Sequence, residues 1–232
     1  MAQTDKPFDP KAPEQYHIWY FNTKVWETTT FMGVRTLKSV SDMWNYQEII
    51  FELKPSLIIE FGAFKGGATL FFSELLKRIN PHSKVLTVDN MKAKKYNEHV
   101  RNNPHVEIFT SSSAAPEVAE KIRGLRKQFP GPVFAILDSD HRKDHVLAEM
   151  KGLRDVLQHG DYVVVEDSNI NGHPVDPDFG EGPMEAILEY EKEFPDDYIH
   201  DTKRENKFGF TFAPHGFLIR KKPILDRLLG RS

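Results

Sequence analysis

The chain has no cysteine among its 232 residues. This absence excludes disulfide bonds, thiolate metal ligands and a cysteine nucleophile. It fits a reducing compartment, and because the N-terminus also lacks the apolar core of a signal peptide, we expect a cytoplasmic protein. No run approaches the roughly 18 consecutive apolar residues that a membrane span needs, so we predict no membrane-spanning segment.

An excess of charge of one sign is also missing. Lys and Arg number 31 against 34 Asp and Glu, which gives a formal net charge of −3. Nothing in this balance favours nucleic acid as a partner. We find no internal repeat, no low-complexity segment and no linker, so we expect one domain over residues 38–232 and a separate N-terminal segment over 1–37.

The N-terminal segment divides into two parts. Residues 1–15 are polar and contain proline, which predicts a loosely ordered tail. The following stretch, 16–37, is too aromatic for a disordered tail, and it is predicted to form either a lid over a ligand or part of the core or a subunit interface. The last alternative would imply a homo-oligomer. The side chains behind this prediction are Tyr16, Trp19, Tyr20, Phe21, Trp26, Phe31 and Met32.

Short apolar runs alternate with segments of helical periodicity through the rest of the chain. Strands are predicted at 56–62, 84–90, 105–113, 132–140 and 161–169. Helices are predicted at 43–53, 66–81, 115–128, 146–157 and 182–194, and the tail at 209–222 is predicted to close as a hairpin. Strands that alternate with helices indicate an α/β fold with a mostly parallel sheet and helices on both faces. Ligands of such sheets bind at the carboxyl ends of the strands.

The first candidate site is a glycine-rich turn after the first of these strands. Gly62, Gly66 and Gly67 permit a tight turn and a close approach of a ligand to the backbone. Their spacing does not match the dinucleotide fingerprint G-x-G-x-x-G. Glu60 precedes the turn and can accept hydrogen bonds from a cationic or amine-bearing ligand, while Asp89 ends the next strand, where an acid suits the hydroxyls of a ribose.

This order of an acid, a glycine turn and a strand-end Asp resembles the S-adenosylmethionine site of class I methyltransferases. A glycine turn of some other α/β protein is the alternative. The resemblance implies that Ser111 and Ser112, after the third predicted strand, lie near the adenine ring.

The second candidate site is a set of acids after the fourth and fifth predicted strands. Asp138 follows one strand, and Glu166 and Asp167 follow the other. Neighbouring parallel strands lie less than about 5 Å apart, so their ends can converge. Three carboxylates so close together repel one another unless a cation lies among them. An all-oxygen set favours Mg²⁺, with Mn²⁺ as a possible substitute, and unrelated surface acids are the alternative.

Two candidate bases lie beside these acids. His141 comes three residues after Asp138, and its ordinary pKa near 6.5 suits a general base. Asp140 is the competing base, and the sequence leaves the choice open. His145 is predicted to be structural.

The chain as a whole resembles the family that groups rhamnosyl O-methyltransferase with the so-called cephalosporin hydroxylases. This resemblance implies a Rossmann-like class I methyltransferase fold with a C-terminal antiparallel hairpin. It also implies methyl transfer from S-adenosylmethionine to a sugar hydroxyl, for instance of rhamnose in a glycoside, glycolipid or glycan. The stretches that carry it are "GVRTLK" (33–38), "WNYQEIIFELKP" (44–55), "IIEFGAFKGG" (58–67), "ILDSDHRKDHVLAEM" (136–150), "VVVEDSNINGHP" (163–174), "GPMEAI" (182–187) and "HGFLIRK" (215–221).

The acids resemble those of metal-dependent macrolide-sugar O-methyltransferases, which carry Asp, then His three residues later, then a Glu-Asp pair. That likeness implies that Asp138, Glu166 and Asp167 bind the metal, that Asp138 also borders the donor and that His141 is the base. Relatives with an Asp-x-Asp base would instead use Asp140. A catechol-type or other small-molecule methyltransferase and a non-catalytic nucleotide-binding module are the alternatives for function.

Overall fold

A computed structural model describes residues 9–222, which form a central sheet with helices on both faces. The strands are β1 Thr30–Phe31, β2 Val34–Arg35, β3 Leu57–Phe61, β4 Lys84–Asp89, β5 Val106–Thr110, β6 Val133–Leu137, β7 Tyr162–Val165, β8 Tyr198–His200 and β9 Phe217–Arg220. The helices are α1 Ala12–Asn22, α2 Val40–Leu53, α3 Gly67–Ile79, α4 Glu98–Arg101, α5 Pro116–Gln128, α6 Lys143–Arg154, α7 Pro183–Glu193 and α8 Thr202–Glu205. Short 3₁₀ turns occupy Val25–Thr28 and Ala93–Lys95.

The sheet has the order β5-β4-β3-β6-β7-β9-β8. Its first five members are parallel, β9 pairs antiparallel with β7, and β8 pairs antiparallel with β9. The predicted fold class is therefore confirmed. Because β3, β4, β6 and β7 run in the same direction, all their carboxyl ends meet at one edge of the sheet.

The C-terminal antiparallel hairpin is also present, but its strands differ from those predicted. The first strand is β8, upstream of the predicted stretch, and residues 209–216 form a loop. Gly209 and His215 have positive φ angles in this loop, which no regular strand allows. Asp42 of α2 also draws the loop away from the sheet, since its carboxylate accepts hydrogen bonds from the Thr211 hydroxyl (2.6 Å) and the Phe212 amide (2.8 Å).

The core consists of two apolar layers, one on each face of the sheet. Every residue of β3 and β6 is buried, as expected for central parallel strands covered on both sides. Alternating side chains of β3 point to opposite layers: Leu57 and Ile59 pack towards α5, α6 and α7, whereas Ile58 packs towards α2 and α3. Burial of each large side chain stabilises the fold by about 1.5–3 kcal/mol, which holds the strand ends firmly in place.

The N-terminal aromatic residues pack onto the loop over 209–216. Helix α1 begins at Ala12, so the prediction of a loose tail is wrong for residues 12–15, and residues 1–8 lie outside the described part of the chain. Tyr20 and Trp26 contact Phe212 edge-on, and His17 stacks on the same ring. Burial lowers the pKa of His17 to about 4, so its neutral ring accepts a hydrogen bond from Asn169 at 2.8 Å. Within residues 9–222, no helix combines the length and the apolar character needed to cross a lipid bilayer.

Candidate active site

Two adjoining cavities lie at the carboxyl edge of the parallel strands. The acid cavity, of about 390 Å³, is lined among others by Trp26, Lys38, Phe64, Asp138, His141 and Asp167. The serine cavity, of about 340 Å³, is lined among others by Ser111, Ser112, Ser113, Asp140, Arg142 and His145. Gly62, Asp89 and Ser139 line both cavities. The two predicted sites are therefore neighbours, and Asp89 marks the border between them.

The glycine turn from β3 to α3 is shaped by close backbone contacts. Gly62 has φ +84°, and a Cβ atom there would lie 2.0 Å from the carbonyl oxygen of Asp138. A Cβ atom on Gly67 would lie 2.3 Å from the Arg35 carbonyl oxygen, and Gly66 has φ +86°. Only glycine fits these positions, because any side chain would push the loops apart. The turn is thus pressed directly against the loop that carries Asp138.

Asp89 supports this turn from the end of β4. Its Oδ2 accepts hydrogen bonds from the backbone amides of Ala63 (2.9 Å) and Phe64 (3.2 Å), and its Oδ1 accepts one from Met91 (2.8 Å). An ionised carboxylate has about four acceptor sites, so one remains for a ligand. Asp89 therefore lies where the sequence predicted, and it also holds the turn together.

Glu60 lies below the turn rather than in the wall of either cavity. Its side chain is fully buried, and Oε2 accepts a hydrogen bond from the Thr69 hydroxyl. Oε1 has no hydrogen-bond partner among the described residues. Burial raises the pKa of Glu60 to about 7, although the Thr69 hydrogen bond and the nearby Lys38 oppose the shift. Its predicted role in binding a cationic or amine-bearing ligand stays a prediction.

Asp138, His141 and Asp167 form the acid cluster. Each offers one ligand atom, and these atoms lie within 4.8 Å of one another. Asp167 has φ +54°, so the chain turns directly after β7 and its carboxylate reaches the end of β6. Partial burial, supported by the charge of Asp138, raises the pKa of Asp167 to about 6, while His141 opposes the shift. Two crowded acids beside an imidazole fit a divalent cation by charge and by donor type.

Glu166, the third predicted ligand, is not a member of the acid cluster. Its Oε1 is 2.8 Å from Lys38 Nζ and accepts a hydrogen bond from the Tyr46 hydroxyl at 3.0 Å. Burial raises the pKa of Glu166, and the charge of Lys38 opposes the shift. Glu166 and Asp167 both lie beyond β7, and they point in different directions because the chain turns at Asp167.

Lys38 is a site residue that the sequence reasoning missed. Its ammonium group contacts Asp138 as well as Glu166, and its side chain is only 2% exposed. Burial alone would lower the pKa of Lys38, but the charges of Asp138 and Glu166 outweigh it and raise the pKa. Lysine is almost never fully buried without such partners. The only signal in the sequence was its place in "GVRTLK", directly before α2.

The two candidate bases lie in different environments. His141 lines the acid cavity, with Nε2 3.5 Å from Asp167 Oδ2. Asp140 lines the serine cavity and is bound by the guanidinium of Arg142, with Nε 2.9 Å from Oδ1. Hydrogen bonds from Arg142 lower the pKa of Asp140 to about 2. An acid so easily ionised is a weak base.

The predicted adenine contacts lie in the serine cavity. Ser111 and Ser112 both line it, but the Ser111 hydroxyl donates a hydrogen bond to Glu117 at 2.9 Å and so faces α5. Ser113 and His145 also line this cavity. Ser113 was not among the residues predicted from the sequence, and only a structural role was predicted for His145.

Comparisons with known proteins identify the family of this chain. A family model described as "Rhamnosyl O-methyltransferase/CmcI" matches residues 23–221. The chain belongs to this family. It is 58% identical over 215 residues to the rhamnosyl O-methyltransferase of Mycobacterium tuberculosis (strain ATCC 25618 / H37Rv), covering 93% of this chain and 87% of the relative. The rhamnosyl O-methyltransferase of Mycobacterium leprae (strain TN) is 57% identical over 216 residues, covering 93% of each chain.

Solved structures confirm the fold of this family member. An apo-structure of CmcI superposes with a TM-score of 0.69 at 20% identity, covering 96% of this chain and 89% of CmcI. A CmcI structure with Mg and SAM gives a TM-score of 0.67 at 20% identity, covering 95% and 88%. An O-methyltransferase from Bacillus cereus in complex with SAH gives 0.54 at 13% identity, covering 94% of each chain.

The close contact at Gly62 leads to a paired prediction on stability. Gly62→Ala should lower the free energy of unfolding by at least about 3 kcal/mol, because its Cβ overlaps the Asp138 carbonyl and its φ is positive. Gly152→Ala is the matched control, since it lies in α6 with nothing within 4 Å of the new Cβ, and it should stabilise by about 0.5–1 kcal/mol. Urea unfolding measures both values. Equal effects of the two substitutions would contradict the packing of the two loops.

The buried lysine leads to a second prediction. Lys38→Met should lower the free energy of unfolding by about 3–5 kcal/mol, because it leaves buried carboxylates without a counter-charge. Lys77→Met is the control: Lys77 and its partner Glu74 are both partly exposed to solvent, and the loss should stay below about 1 kcal/mol. The double variant Lys38→Met/Glu166→Gln should recover part of the loss, as urea unfolding can measure. A double variant no more stable than Lys38→Met would show that Glu166 does not depend on Lys38.

Proposed function

We propose that this chain is an S-adenosylmethionine-dependent, divalent-metal-dependent O-methyltransferase that acts on a hydroxyl of a sugar, such as rhamnose in a glycoside, glycolipid or glycan. One observation carries the proposal: the glycine turn with Asp89 and the acid cluster share a border in adjoining cavities. The named relatives, at 57–58% identity, support the sugar acceptor. The cytoplasmic location and a homo-oligomeric state stay predictions.

The donor is expected to lie across both cavities. Asp89 borders both and has an acceptor site left for a ribose hydroxyl, so the adenosine would extend into the serine cavity. The sulfonium end would then face the acid cavity beside Asp138, below the turn at Gly62. When bound, the donor supplies an electrophilic methyl group. The residues of the turn bring it close to the acceptor, and positioning of two reactants can lower a barrier by about 7–11 kcal/mol in favourable intramolecular cases.

The acids fit Mg²⁺, with Mn²⁺ as a substitute. Asp138 and Asp167 offer carboxylate oxygens within the acid cluster. Glu166 is the third proposed ligand; its Oε1 binds Lys38 and Tyr46, so only Oε2 would be left for the ion. An ion held there would lower the pKa of an acceptor hydroxyl. This ligand set leaves the His141 ring free for proton transfer.

His141 is the base that the geometry supports. It lines the acid cavity, and Asp167 lies 3.5 Å from its Nε2, so the carboxylate can stabilise the ring once it is protonated. Asp140 faces the other cavity, pairs with Arg142 and has a pKa of about 2. His141 would take the proton of the acceptor hydroxyl, and the oxygen would then be ready to accept the methyl group.

Trp26 supports the lid hypothesis for the aromatic segment. It lines the acid cavity, and its indole Nε1–H donates to the Phe21 carbonyl at 3.2 Å, which fixes the ring. An aromatic face at this place can exclude water and pack against the apolar face of a sugar.

Acceptor assays test the proposed function. The purified protein with labelled S-adenosylmethionine and Mg²⁺ should methylate a rhamnoside, because the acids hold the ion beside the acceptor. Asp138→Asn should reduce the rate at least about 100-fold while calorimetry shows S-adenosylhomocysteine binding within about fivefold of wild type. Transfer to a catechol instead of the rhamnoside would favour the small-molecule alternative. Donor binding without transfer to either would favour a binding module.

The choice of base has its own test. His141→Gln should lower kcat about 10²–10⁴-fold, because the imidazole is the group proposed to take the proton. Asp140→Asn should lower kcat less than about fivefold, since its carboxylate serves Arg142. Rates for both variants against pH, with the same rhamnoside, provide the measurement. The reverse order of effects would make Asp140 the base.

A further inference from the structure

Helix α2 carries a second apolar face on its solvent-exposed side. Val40, Trp44 and Phe51 are spaced by four and seven residues (44 − 40 and 51 − 44), so they lie along one side of the helix. Their exposed fractions are 60%, 59% and 63%. The other side of α2 carries Tyr46 and Ile50, which are buried in the core. Exposed apolar side chains that lie close together mark a site of interaction, whereas isolated ones do not.

An apolar groove of about 380 Å³ connects this face to the β1–β2 hairpin. Its walls include Trp44 of α2, Phe71 of α3 and Phe31 of β1. Phe31 contacts Phe71 edge-on, with ring centroids 5.2 Å apart, and this contact holds the hairpin against α3. Met32 follows at the tip of the hairpin, where it is 70% exposed and has φ +49°. We call the exposed apolar residues of the hairpin and α2 the apolar surface: Met32, Val40, Trp44 and Phe51.

A group of exposed lysines lies next to the same hairpin. Arg35 of β2 and Lys65 both approach the Phe64 ring, at 5.8 and 5.6 Å from its centroid. The Lys65 carbonyl accepts a hydrogen bond from the Asn97 amide, so the segment before Asn97 lies beside Lys65. We call these lysines the basic rim: Lys65, Lys92, Lys94 and Lys95. None of the four forms an ion pair with another residue in the described part of the chain.

The basic rim keeps its positive charge and lies at the mouth of the acid cavity. One exposed acid, Glu98, follows the lysines along the chain, and Glu27 near the hairpin is paired with Lys24 and Arg35. Phe64 and Met91, which directly precede Lys65 and Lys92, line the acid cavity. A chain of net charge −3 therefore presents a local excess of positive charge beside this cavity.

We propose that the apolar surface and the basic rim together bind the surface of an anionic lipid bilayer. Lysines beside such a surface are attracted to its negative charge. Exposed apolar side chains next to them can enter the boundary between head groups and acyl chains, where tryptophan is favoured. A second copy of this chain could also cover the apolar residues, but it would bring no complementary negative charge to the rim. Charge complementarity therefore favours the bilayer.

Docking would turn the mouth of the acid cavity towards the bilayer, because the basic rim borders that mouth. An acceptor carried by the same bilayer could then reach the cavity directly. This consequence rests on the proposed function. The docking itself does not, since it can be measured with no donor and no acceptor present.

Co-sedimentation of the full chain with lipid vesicles tests the inference. The probes are vesicles of phosphatidylcholine alone and vesicles of equal parts phosphatidylcholine and phosphatidylglycerol. Wild type should bind the anionic vesicles at least about tenfold more tightly than the neutral ones. High salt should remove this preference, because the lysines of the rim are exposed and their charges are screened.

Two pairs of variants separate the charged part of the surface from the apolar part. Lys94→Glu/Lys95→Glu should weaken binding to anionic vesicles at least about tenfold, whereas Arg123→Glu/Lys127→Glu, the same charge change on exposed residues of α5, should weaken it less than about threefold. Trp44→Ser should weaken binding to both kinds of vesicle at least about fivefold. Leu188→Ser is its control, since Leu188 is an exposed apolar residue of α7, on the other face of the sheet.

The outcomes keep docking and methyl transfer apart. Equal binding of wild type to both kinds of vesicle, no binding to either, or equal effects of the two charge reversals would overturn the docking and leave the proposed function intact. Sedimentation equilibrium without lipid covers the remaining occupant: self-association that is lost in Trp44→Ser would show that a second copy, and not a bilayer, covers the apolar surface. Vesicle binding without methyl transfer to any acceptor would support the docking and count against the proposed function alone.

Discussion

The arrangement of the site depends on the ion pairs that the ammonium group of Lys38 forms with two carboxylates. It comes from the segment before α2 and meets carboxylates from the ends of β6 and β7, which lie 100 and 128 residues further along the chain (138 − 38 and 166 − 38). Without this cation Asp138 and Glu166 would repel each other in a poorly hydrated place. The free energy gained from this attraction is offset by the cost of burying the charges. The ion pairs of Lys38 therefore position the two carboxylates more than they add net stability.

The fold could be predicted from the sequence because each central strand is buried on both faces. "SLIIEFG" has the unbroken apolar character of such a strand, and the glycine that follows marks its end. The same regularity placed Asp138 and Asp167 at neighbouring strand ends. His141 then lay close to both, since only a short turn separates it from β6. The positions of these residues can be predicted from the local sequence pattern and from the rule that the carboxyl ends of parallel strands meet at one edge of the sheet.

Other features depended on contacts that no local pattern contains. A lysine before a helix normally faces solvent, so nothing marked Lys38 as buried. The direction of Asp167 is set by its left-handed conformation, which the sequence allowed but did not specify. The stretch around Phe210 and Phe212 alternates like a strand, yet Asp42 and the aromatic rings of the N-terminal segment draw it into a loop. Tertiary contacts override propensity in each case.

The contact between Gly62 and the Asp138 carbonyl fixes the distance between the glycine turn and the loop after β6. The glycine turn and the loop that carries Asp138 meet through backbone atoms, with no side chain between them to adjust. Both loops are therefore constrained to shift as one body. In the proposed function, this contact would therefore set the distance between the methyl group of the donor and the accepting oxygen. Acceptors of different size would have to be accommodated by the outer walls, where Trp26 and Phe64 lie, and not by the spacing at which the reaction occurs.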